Sequence, residues 1–217
     1  MTYNGEVEVG RPTQTQSAGD LSITKITVGP MANNAYLLRC NLTGDQAPID
    51  AADEASRLLA AIGEAGLTHV ITTHQHADHW QALAEVARET GAIVVAGEDD
   101  ADGLPVDVDM RVRSNARVRV GSCELEVIEV RGHTPGSIML AYDDPDGIVH
   151  LFTGDSLFPG GVGRTWSPDD FIRLINDVEN NVFKRFDDST WFYPGHGKDS
   201  TLGAERPHLD DWRARGW

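Results

Sequence analysis

The sequence predicts an α/β protein in which two mixed β-sheets are covered by outer helices. Segments with the two-residue alternation of strands are interleaved with amphipathic helical segments in both halves of the chain. No low-complexity segment separates the halves, and 217 residues, of which 40% are hydrophobic, suffice to bury one core. We therefore expect a single domain over residues 21–217. It is preceded by a loosely ordered lead-in over residues 1–20, a segment rich in Thr, Gln, Gly and Ser.

The first half of the chain predicts a run of strands that is followed by a helix and a further strand. Alternating or short apolar segments predict strands over Leu21–Val28, Ala35–Cys40, Ala47–Asp50 and Thr68–Thr72. Asn33 and Asn34 predict a turn between the first two strands, because Asn favours turns. The apolar residues of Asp53–Ala65 lie on one helical face, and Gly66 ends this predicted helix.

The second half continues the alternation of helices and strands. A helix over Gln81–Thr90 precedes a buried strand over Ala92–Ala96, and the acidic segment Glu98–Asp109 predicts a solvated surface loop. Pro168 begins the longest predicted helix, which continues to Phe183. Further strands are predicted within Arg111–Val130, around a turn at Gly121-Ser122, and over Ile138–Tyr142, Ile148–Phe152 and Thr190–Tyr193.

Charge and hydropathy argue against two classes of partner, nucleic acids and membranes. Acidic residues outnumber basic ones by 34 to 18, and the formal charge of −16 would repel a nucleic-acid backbone. No apolar run approaches the ~18 residues that span a bilayer. The amino-terminal segment carries neither the basic nor the apolar region of a secretory leader, so we expect a cytoplasmic protein.

One segment directly after the predicted strand Thr68–Thr72 is rich in metal-binding side chains. His74, His76, Asp78 and His79 place three imidazoles and one carboxylate within six positions. In an extended turn, residues two apart face the same side, so His74 and His76 can share one ion while Asp78 and His79 face a second. Imidazole and carboxylate ligands together suit zinc, iron or manganese.

Three later residues complete a candidate two-metal centre. His133, Asp155 and His196 each follow a predicted strand and a glycine, which allows the backbone to turn sharply and approach a ligand closely. The two oxygens of Asp155 can bridge ions ~3.5 Å apart, as two-metal hydrolases require. Asp50 ends a strand beneath this site, and we expect it to orient the turn or a ligand rather than to bind metal itself.

Together these motifs resemble those of the metallo-β-lactamase fold hydrolases, from about Leu21 to Gly203. The resemblance rests on His74-Gln-His76-Ala-Asp78-His79, Gly132-His133-Thr-Pro-Gly-Ser, Gly154-Asp155 and Gly195-His196-Gly. It implies a four-layer αβ/βα sandwich with the site at one edge. It also implies two ligand groups, which are His74, His76 and His133 for one ion and Asp78, His79 and His196 for the other, with Asp155 as the bridge.

The segments Leu157-Phe158, Gly163-Arg164-Thr165 and Gly197–Gly203 look most like glyoxalase II-type thioesterases (hydroxyacylglutathione hydrolases), particularly the short bacterial form. This resemblance implies two divalent ions, of which zinc is the first expectation. A hydroxide that bridges them attacks the carbonyl of a small thioester or ester, and Asp78 orients that hydroxide. Arg164 lies in a glycine-rich segment shortly after Asp155. It is a candidate for attracting an anionic substrate, and the alternative is that it packs on Trp166 or pairs with Asp169 or Asp170.

The sequence leaves two other functions open. Persulfide dioxygenases of this fold use the same His, His and Asp positions for one iron, and a chain that kept the ligands without the reaction would be a metal-binding sensor. Only a short segment follows His196, so we do not expect the C-terminal helical region with which longer glyoxalase II enzymes grip glutathione. The acyl group, the thiol carrier, the native metal and the oligomeric state are open at this point.

Overall fold

The computed structural model describes residues 3–216, which form two mixed β-sheets. The larger sheet contains seven strands, and they lie side by side in chain order. These strands are β1 (Gln14–Ala18), β2 (Leu21–Val28), β3 (Asn33–Cys40), β4 (Gln46–Ile49), β5 (His69–Thr72), β6 (Ile93–Gly97) and β7 (Met110–Val112). Neighbours from β1 to β4 pair antiparallel, whereas neighbours from β4 to β7 pair parallel.

The second sheet has six strands, and a small separate hairpin follows its fourth strand in the chain. These elements are β8 (Arg117–Val120), β9 (Cys123–Glu129), β10 (Ile138–Asp143), β11 (Val149–Gly154), the hairpin β12 (Leu157–Phe158) and β13 (Gly161–Val162), β14 (Trp191–Pro194) and β15 (Ser200–Thr201). The spatial order in the sheet is β15-β14-β11-β10-β9-β8, and within it only β11 and β14 pair parallel.

Five α-helices flank the sheets. They are α1 (Ala55–Ile62), α2 (Leu83–Thr90), α3 (Pro168–Val178), α4 (Leu202–Glu205) and α5 (Leu209–Arg215), and a π-helical turn over Glu179–Phe183 continues α3. The start of α3 is fixed locally, because the Ser167 side chain accepts a hydrogen bond from the Asp170 backbone and Pro168 stands in the first turn. No helix within residues 3–216 is long and apolar enough to cross a membrane.

Side-chain alternation along the strands separates the apolar residues into three cores. In β10, Leu140 packs between the two sheets, whereas Met139 packs on the opposite face with Leu174 of α3. In the larger sheet, Leu37 of β3 packs with Leu83 of α2. Each of these buried side chains contributes about 1.5 to 3 kcal/mol to folding. The layers therefore follow the order helix, sheet, sheet, helix, which confirms the predicted four-layer αβ/βα sandwich.

The expectation of a loosely ordered lead-in over residues 1–20 is wrong for the part that contains β1. Gln14–Ala18 pairs with β2 along the edge of the larger sheet, with Gln14 opposite Lys25. The polar residues of β1 concealed it, because one face of an edge strand is exposed to water. Residues 1, 2 and 217 lie outside the described range, and the single domain over 21–217 stays a prediction.

The predicted turn at Asn33 and Asn34 is also wrong. Both residues begin β3, and the chain turns just before them, where the Ala32 backbone N–H donates to the Gly29 carbonyl. The Asn34 side chain donates to the carbonyls of Pro194 and Gly197, both at 2.9 Å. Partners distant in the sequence therefore override the local turn preference of Asn.

The acidic segment Glu98–Asp109 is not a wholly solvated loop. Asp100 is 1% exposed, and a short 3₁₀ helix follows it at Ala101–Gly103. Apolar side chains of the segment, such as Leu104, pack partly against the core beneath α2. The predicted hairpin around Gly121-Ser122 is confirmed as β8 and β9, but Met110–Val112 pairs with β6 in the other sheet.

Candidate metal centre

Loops from both sheets bring the seven predicted metal ligands together at one edge of the sandwich. His74 and His76 follow β5, and the chain stays extended through His76 before the 3₁₀ turn Ala77–His79. The other three loops leave β9, β11 and β14 and carry His133, Asp155 and His196. The β5 and His133 loops are joined directly, since the Ile138 backbone donates to the Thr73 carbonyl at 2.9 Å.

The ligand atoms form three overlapping groups. Within each group, all ligand atoms lie within 4.8 Å of one another. The groups are His74, His76 and His133; His74, His79 and Asp155; and Asp78, His79 and His196. The first and third groups are the two ligand sets that the sequence resemblance implies, and the second group connects them.

Three buried polar atoms of this cluster have no hydrogen-bond partner. They are His74 Nε2, His79 Nε2 and Asp155 Oδ1; the last two lie 3.3 Å apart but are not aligned for a hydrogen bond. A buried polar atom without a partner costs about 1 to 3 kcal/mol, so such atoms are uncommon unless they serve a ligand. Imidazole nitrogens and carboxylate oxygens are donors that divalent metal ions accept. The cluster therefore fits metal ions.

The hydrogen bonds of the histidines orient one ring nitrogen toward the cluster. Nδ1 of His133 donates to the Arg164 carbonyl at 2.7 Å, and Nδ1 of His196 donates to the Met31 carbonyl at 3.1 Å. A nitrogen facing a carbonyl must carry the proton, because the carbonyl oxygen can only accept. The Nε2 atom of each ring is thereby left as the lone-pair donor that a metal requires.

Asp50 orients the ring of His79 in the same way. One oxygen of its carboxylate lies 2.8 Å from His79 Nδ1 and also accepts from the Thr73 hydroxyl, while the other accepts from the Thr73 backbone at 2.8 Å. Asp50 is buried and has a positive φ of 58°, a conformation that non-glycine residues seldom adopt. Its backbone is thus held in an unusual conformation directly beneath the candidate ligands.

Asp155 lies between the histidines of the first and third groups. Its Oδ2 is 3.7 Å from His133 Nε2 and 3.6 Å from His196 Nε2, and its Oδ1 is 3.3 Å from His79 Nε2. Burial alone would raise the pKa of Asp155, but His79, His196 and His133 lower it below its usual value. The carboxylate is therefore ionised and available as a ligand at neutral pH.

Asp78 is likewise held as a carboxylate. Its Oδ2 accepts a hydrogen bond from the Asn33 amide at 2.9 Å and lies 3.3 Å from His196 Nε2. Burial would raise the pKa of Asp78, but the Asn33 hydrogen bond and the neighbouring His79 lower it. Asn33 is a supporting residue that the sequence analysis assigned to a turn, because its contact with Asp78 joins positions far apart in the chain.

The buried imidazoles differ in their pKa values. Burial, reinforced by the neighbouring histidines, lowers the pKa of His74 well below its ordinary value. Burial also lowers the pKa of His133, against the attraction of Asp155. For His79, burial acts in the same direction, but Asp50 and Asp155 overcome it and raise the pKa to about 10. His79 must therefore release a proton when it binds a metal at neutral pH.

Asp100 is a second residue that supports the ligand loops. Its buried carboxylate accepts hydrogen bonds from the Gln75 backbone at 3.0 Å, the Thr134 hydroxyl at 2.5 Å and the Gly136 backbone at 2.7 Å. It thus ties the loop of His74 and His76 to the loop of His133. No local signal distinguishes it from the other acidic residues of its segment.

Glycines next to the ligands allow the loops to pack closely. A Cβ atom at Gly195 would overlap Asp155 Oδ1 and the ring of His79. At Gly154 the backbone has a φ of +48°, and a Cβ atom would meet the Thr73 side chain. A larger residue at Gly195 would displace Asp155 and His79, and one at Gly154 would displace Thr73, which donates to Asp50.

Arg164 lies at the rim of the cluster and is exposed. Its guanidinium stacks over the Trp166 ring at 4.5 Å, and that ring lies 6.5 Å, edge to face, from the His76 ring. The side chain therefore packs on Trp166, the alternative raised by the sequence. Its guanidinium has no carboxylate within ion-pair distance among residues 3–216, so it is free to attract an anion.

Known proteins are similar to this chain in sequence and in fold. A family model described as the metallo-beta-lactamase superfamily matches residues 28–196. The hydroxyacylglutathione hydrolase of Rhodopseudomonas palustris is 38% identical over 136 residues, which make up 62% of this chain and 51% of the relative. The chain spans about half the length of this and the next curated relatives that it matches.

Two solved structures have closely similar folds. ETHE1 from Myxococcus xanthus is 28% identical with a TM-score of 0.77, over 88% of this chain and 84% of the other. TTHA1623, solved in a di-iron-bound form, is 29% identical with a TM-score of 0.69, over 84% of this chain and 96% of the other. Since the family model spans well over half of the sequence and includes all seven candidate ligands, the chain belongs to the metallo-beta-lactamase superfamily.

Proposed function

We propose that this chain is a dinuclear metal-dependent hydrolase of a small thioester or ester, of the glyoxalase II type. The observation that carries the proposal is the position of Asp155. Its Oδ2 lies within 3.7 Å of one histidine from each ligand set, and its buried Oδ1 has no hydrogen-bond partner. A carboxylate placed in this way can bridge two ions.

The donor set indicates which ions the site would hold. His74, His76 and His133 would bind one ion, and Asp78, His79 and His196 would bind the other. Nitrogen and carboxylate donors without thiolate suit a zinc pair, and iron or manganese would accept the same ligands. The di-iron-bound form of the similar structure TTHA1623 is a precedent for two ions in this fold.

The chain's own residues would position the reactants around those ions. Two bound divalent ions would lower the pKa of a water from 15.7 to about 7 and would polarise a carbonyl oxygen. The ionised carboxylate of Asp78, which Asn33 holds in place, would orient the attacking water. A general base is then unnecessary, so no further side chain has to accept the proton of the water.

The chemistry of the leaving group favours thioesters over amides. A thiol has a pKa of ~8.5 and departs as thiolate, whereas an amine needs a proton donor. The curated relatives, which are hydroxyacylglutathione hydrolases, support a thioester as well. Arg164 would attract the anionic part of the substrate from its place at the rim.

Elemental analysis of the purified protein, followed by a panel of acyl thioesters and esters on the same sample, tests this function. We expect two ions per chain and hydrolysis that a chelator abolishes. One iron per chain, with oxygen uptake on glutathione persulfide, would instead establish the persulfide dioxygenase. A fully metal-loaded protein that turns over nothing in the panel would establish the metal-binding sensor.

A further inference from the structure

A fully buried ion pair lies beside the metal cluster, outside its ligand set. Lys25 of β2 and Asp199, which stands three residues after His196, are 2.7 Å apart, and both side chains are 0% exposed. All three protons of the Lys25 ammonium are used, because it also donates to the carbonyls of Gly5 and Gly197 at 2.7 Å each. The pair is therefore completely satisfied.

Asp199 also collects hydroxyl donors from two other parts of the chain. Tyr3 donates to its Oδ2, and the Tyr36 hydroxyl of β3 lies 3.2 Å from its Oδ1, sharing its single proton between this oxygen and the nearer Pro194 carbonyl. The Asp199 backbone N–H in turn donates to the Gly5 carbonyl at 3.3 Å. The amino-terminal segment, expected from the sequence to be a loose lead-in, is thus fastened to the chain just beyond a candidate ligand.

The same loop is held on its other side by β3. The Asn34 backbone donates to the Gly195 carbonyl at 2.7 Å, and its side chain donates to the carbonyls of Pro194 and Gly197. Tyr36 donates to the Pro194 carbonyl at 2.8 Å. We define residues 194–199 as the His196 loop. Polar contacts fix both of its ends.

His196 needs such support more than His79 and His133 do. Its side chain is 25% exposed, whereas the side chains of His79 and His133 are 0% and 7% exposed. Packing around the ring therefore restrains His196 less than it restrains those two histidines. Replacing a buried ion pair by apolar residues often costs no stability. We therefore interpret this pair by its effect on the placement of the His196 loop and not by its effect on the stability of the fold.

We propose that the Lys25–Asp199 pair, together with Tyr3, is a positioning device that holds His196 in place for the ion of the Asp78, His79 and His196 group. Its role in metal binding rests on the proposed dinuclear function. Its role in fixing the His196 loop does not, because that role belongs to the metal-free protein as well. The two parts can be tested separately.

The test compares Asp199→Asn with Asp144→Asn. Asp144 is a matched control, because its carboxylate is also buried, accepts backbone hydrogen bonds from Asp146 and Ile148 and lies 3.3 Å from His150 Nε2, so that its partners all lie within residues 146–150 and none in the His196 loop. Tyr3→Phe removes one hydroxyl donor from Asp199. Lys198→Met removes an exposed lysine of the same loop.

The first measurement is amide hydrogen exchange in the metal-free proteins. We expect Asp199→Asn to accelerate exchange at Gly195 and Asp199 at least tenfold relative to the wild type, with a smaller effect of Tyr3→Phe and none of Asp144→Asn or Lys198→Met. Unchanged protection of these amides in a folded Asp199→Asn protein would overturn the proposal. So would equal acceleration by Asp144→Asn, which would show a general loss of stability.

The second measurement is titration with cobalt, read from its visible absorption at a temperature where circular dichroism shows each variant folded. We expect Asp199→Asn to weaken binding of the ion at the Asp78, His79 and His196 group ~10- to 100-fold. The ion at the other ligand group should bind as in the wild type. Equal weakening of both ions, or of neither, would overturn the metal-binding part. A wild-type protein that binds only one ion would refute the dinuclear function instead, and the exchange result would still decide whether the pair fixes the loop.

Discussion

Replacing Asp100 by Asn should weaken the connection between two ligand loops while the size of the side chain stays the same. The Asp100 carboxylate accepts from the Gln75 and Thr134 donors on one oxygen and from Gly136 on the other. An amide offers one oxygen and one NH₂ group. In either orientation, the NH₂ group therefore faces a backbone N–H that has lost its acceptor.

The size of the effect follows from that lost contact. If the NH₂ group faces Gln75, the Thr134 hydroxyl can turn to Ser137, with which it already shares a hydrogen bond. One backbone hydrogen bond to a charged acceptor is then lost, and such bonds contribute about 1.5 to 3 kcal/mol. For a chain of this length, each kcal/mol corresponds to about 2 to 4 °C, so the melting temperature should fall by about 3 to 12 °C.

Thermal unfolding of the metal-free protein, followed by circular dichroism, measures this fall. Metal titration should also show ~10- to 100-fold weaker binding at the His74, His76 and His133 group, because Asp100 joins their loops. Asp102→Asn is the matched control, since that side chain is 86% exposed and its surface ion pair with Arg111 contributes little to stability. An Asp100→Asn protein with unchanged melting temperature and metal affinity would refute the reasoning.

Three further perturbations test the centre and its rim. Asp155→Asn should lower the binding of both ions, and an unchanged two-ion content in elemental analysis would contradict the bridging role. Arg164→Met should lower kcat/KM by about ten- to hundredfold for carboxylate-bearing substrates, equivalent to ~1.5 to 3 kcal/mol, and much less for neutral esters; equal losses on both would remove Arg164 from the binding site. Metal affinity should fall as the pH drops below about 10, because His79, whose pKa in the metal-free protein is about 10, must lose a proton to bind. At pH 8, metal uptake should release a proton from His79, whose metal-free pKa is about 10. Metal titrations at several pH values measure the change in affinity, and the protons released during uptake are measured at pH 8. Full metal occupancy at pH 5 would count against a histidine-based centre.

The sequence predicted the elements that have a regular apolar pattern and missed those that depend on distant partners. The alternation in Leu21–Val28 and the glycine turn before Cys123 are local signals, and the structure confirms both elements. The sequence pattern does not predict β1, because its side chains are polar at an exposed edge. The local preference of Asn predicts a turn at Asn33 and Asn34. Their strand conformation depends instead on hydrogen-bond acceptors more than forty residues away.

The candidate ligands were easier to predict than the residues that support them. Metal-binding chemistry restricts a ligand to a few residue types, and four of the seven stand within six positions, so the pattern is visible in one sequence. Asp100 and Lys25 carry no such signal. Their role depends on which backbone groups the fold brings to them, and this information is absent from local composition. The cytoplasmic location and the roles of individual ligands stay predictions.

The buried charges around the centre are arranged in a way that suits divalent ions. The two ions of the proposed centre would bring four positive charges, and the candidate ligand carboxylates Asp78 and Asp155 would supply two negative ones. Asp50 and Asp100 add two more from buried positions next to the ligand loops, while Lys25 neutralises Asp199. Buried charges are costly unless they are compensated. The carboxylates that orient the ligand loops therefore also offset the charge of the ions, so loop position and metal affinity depend on the same residues.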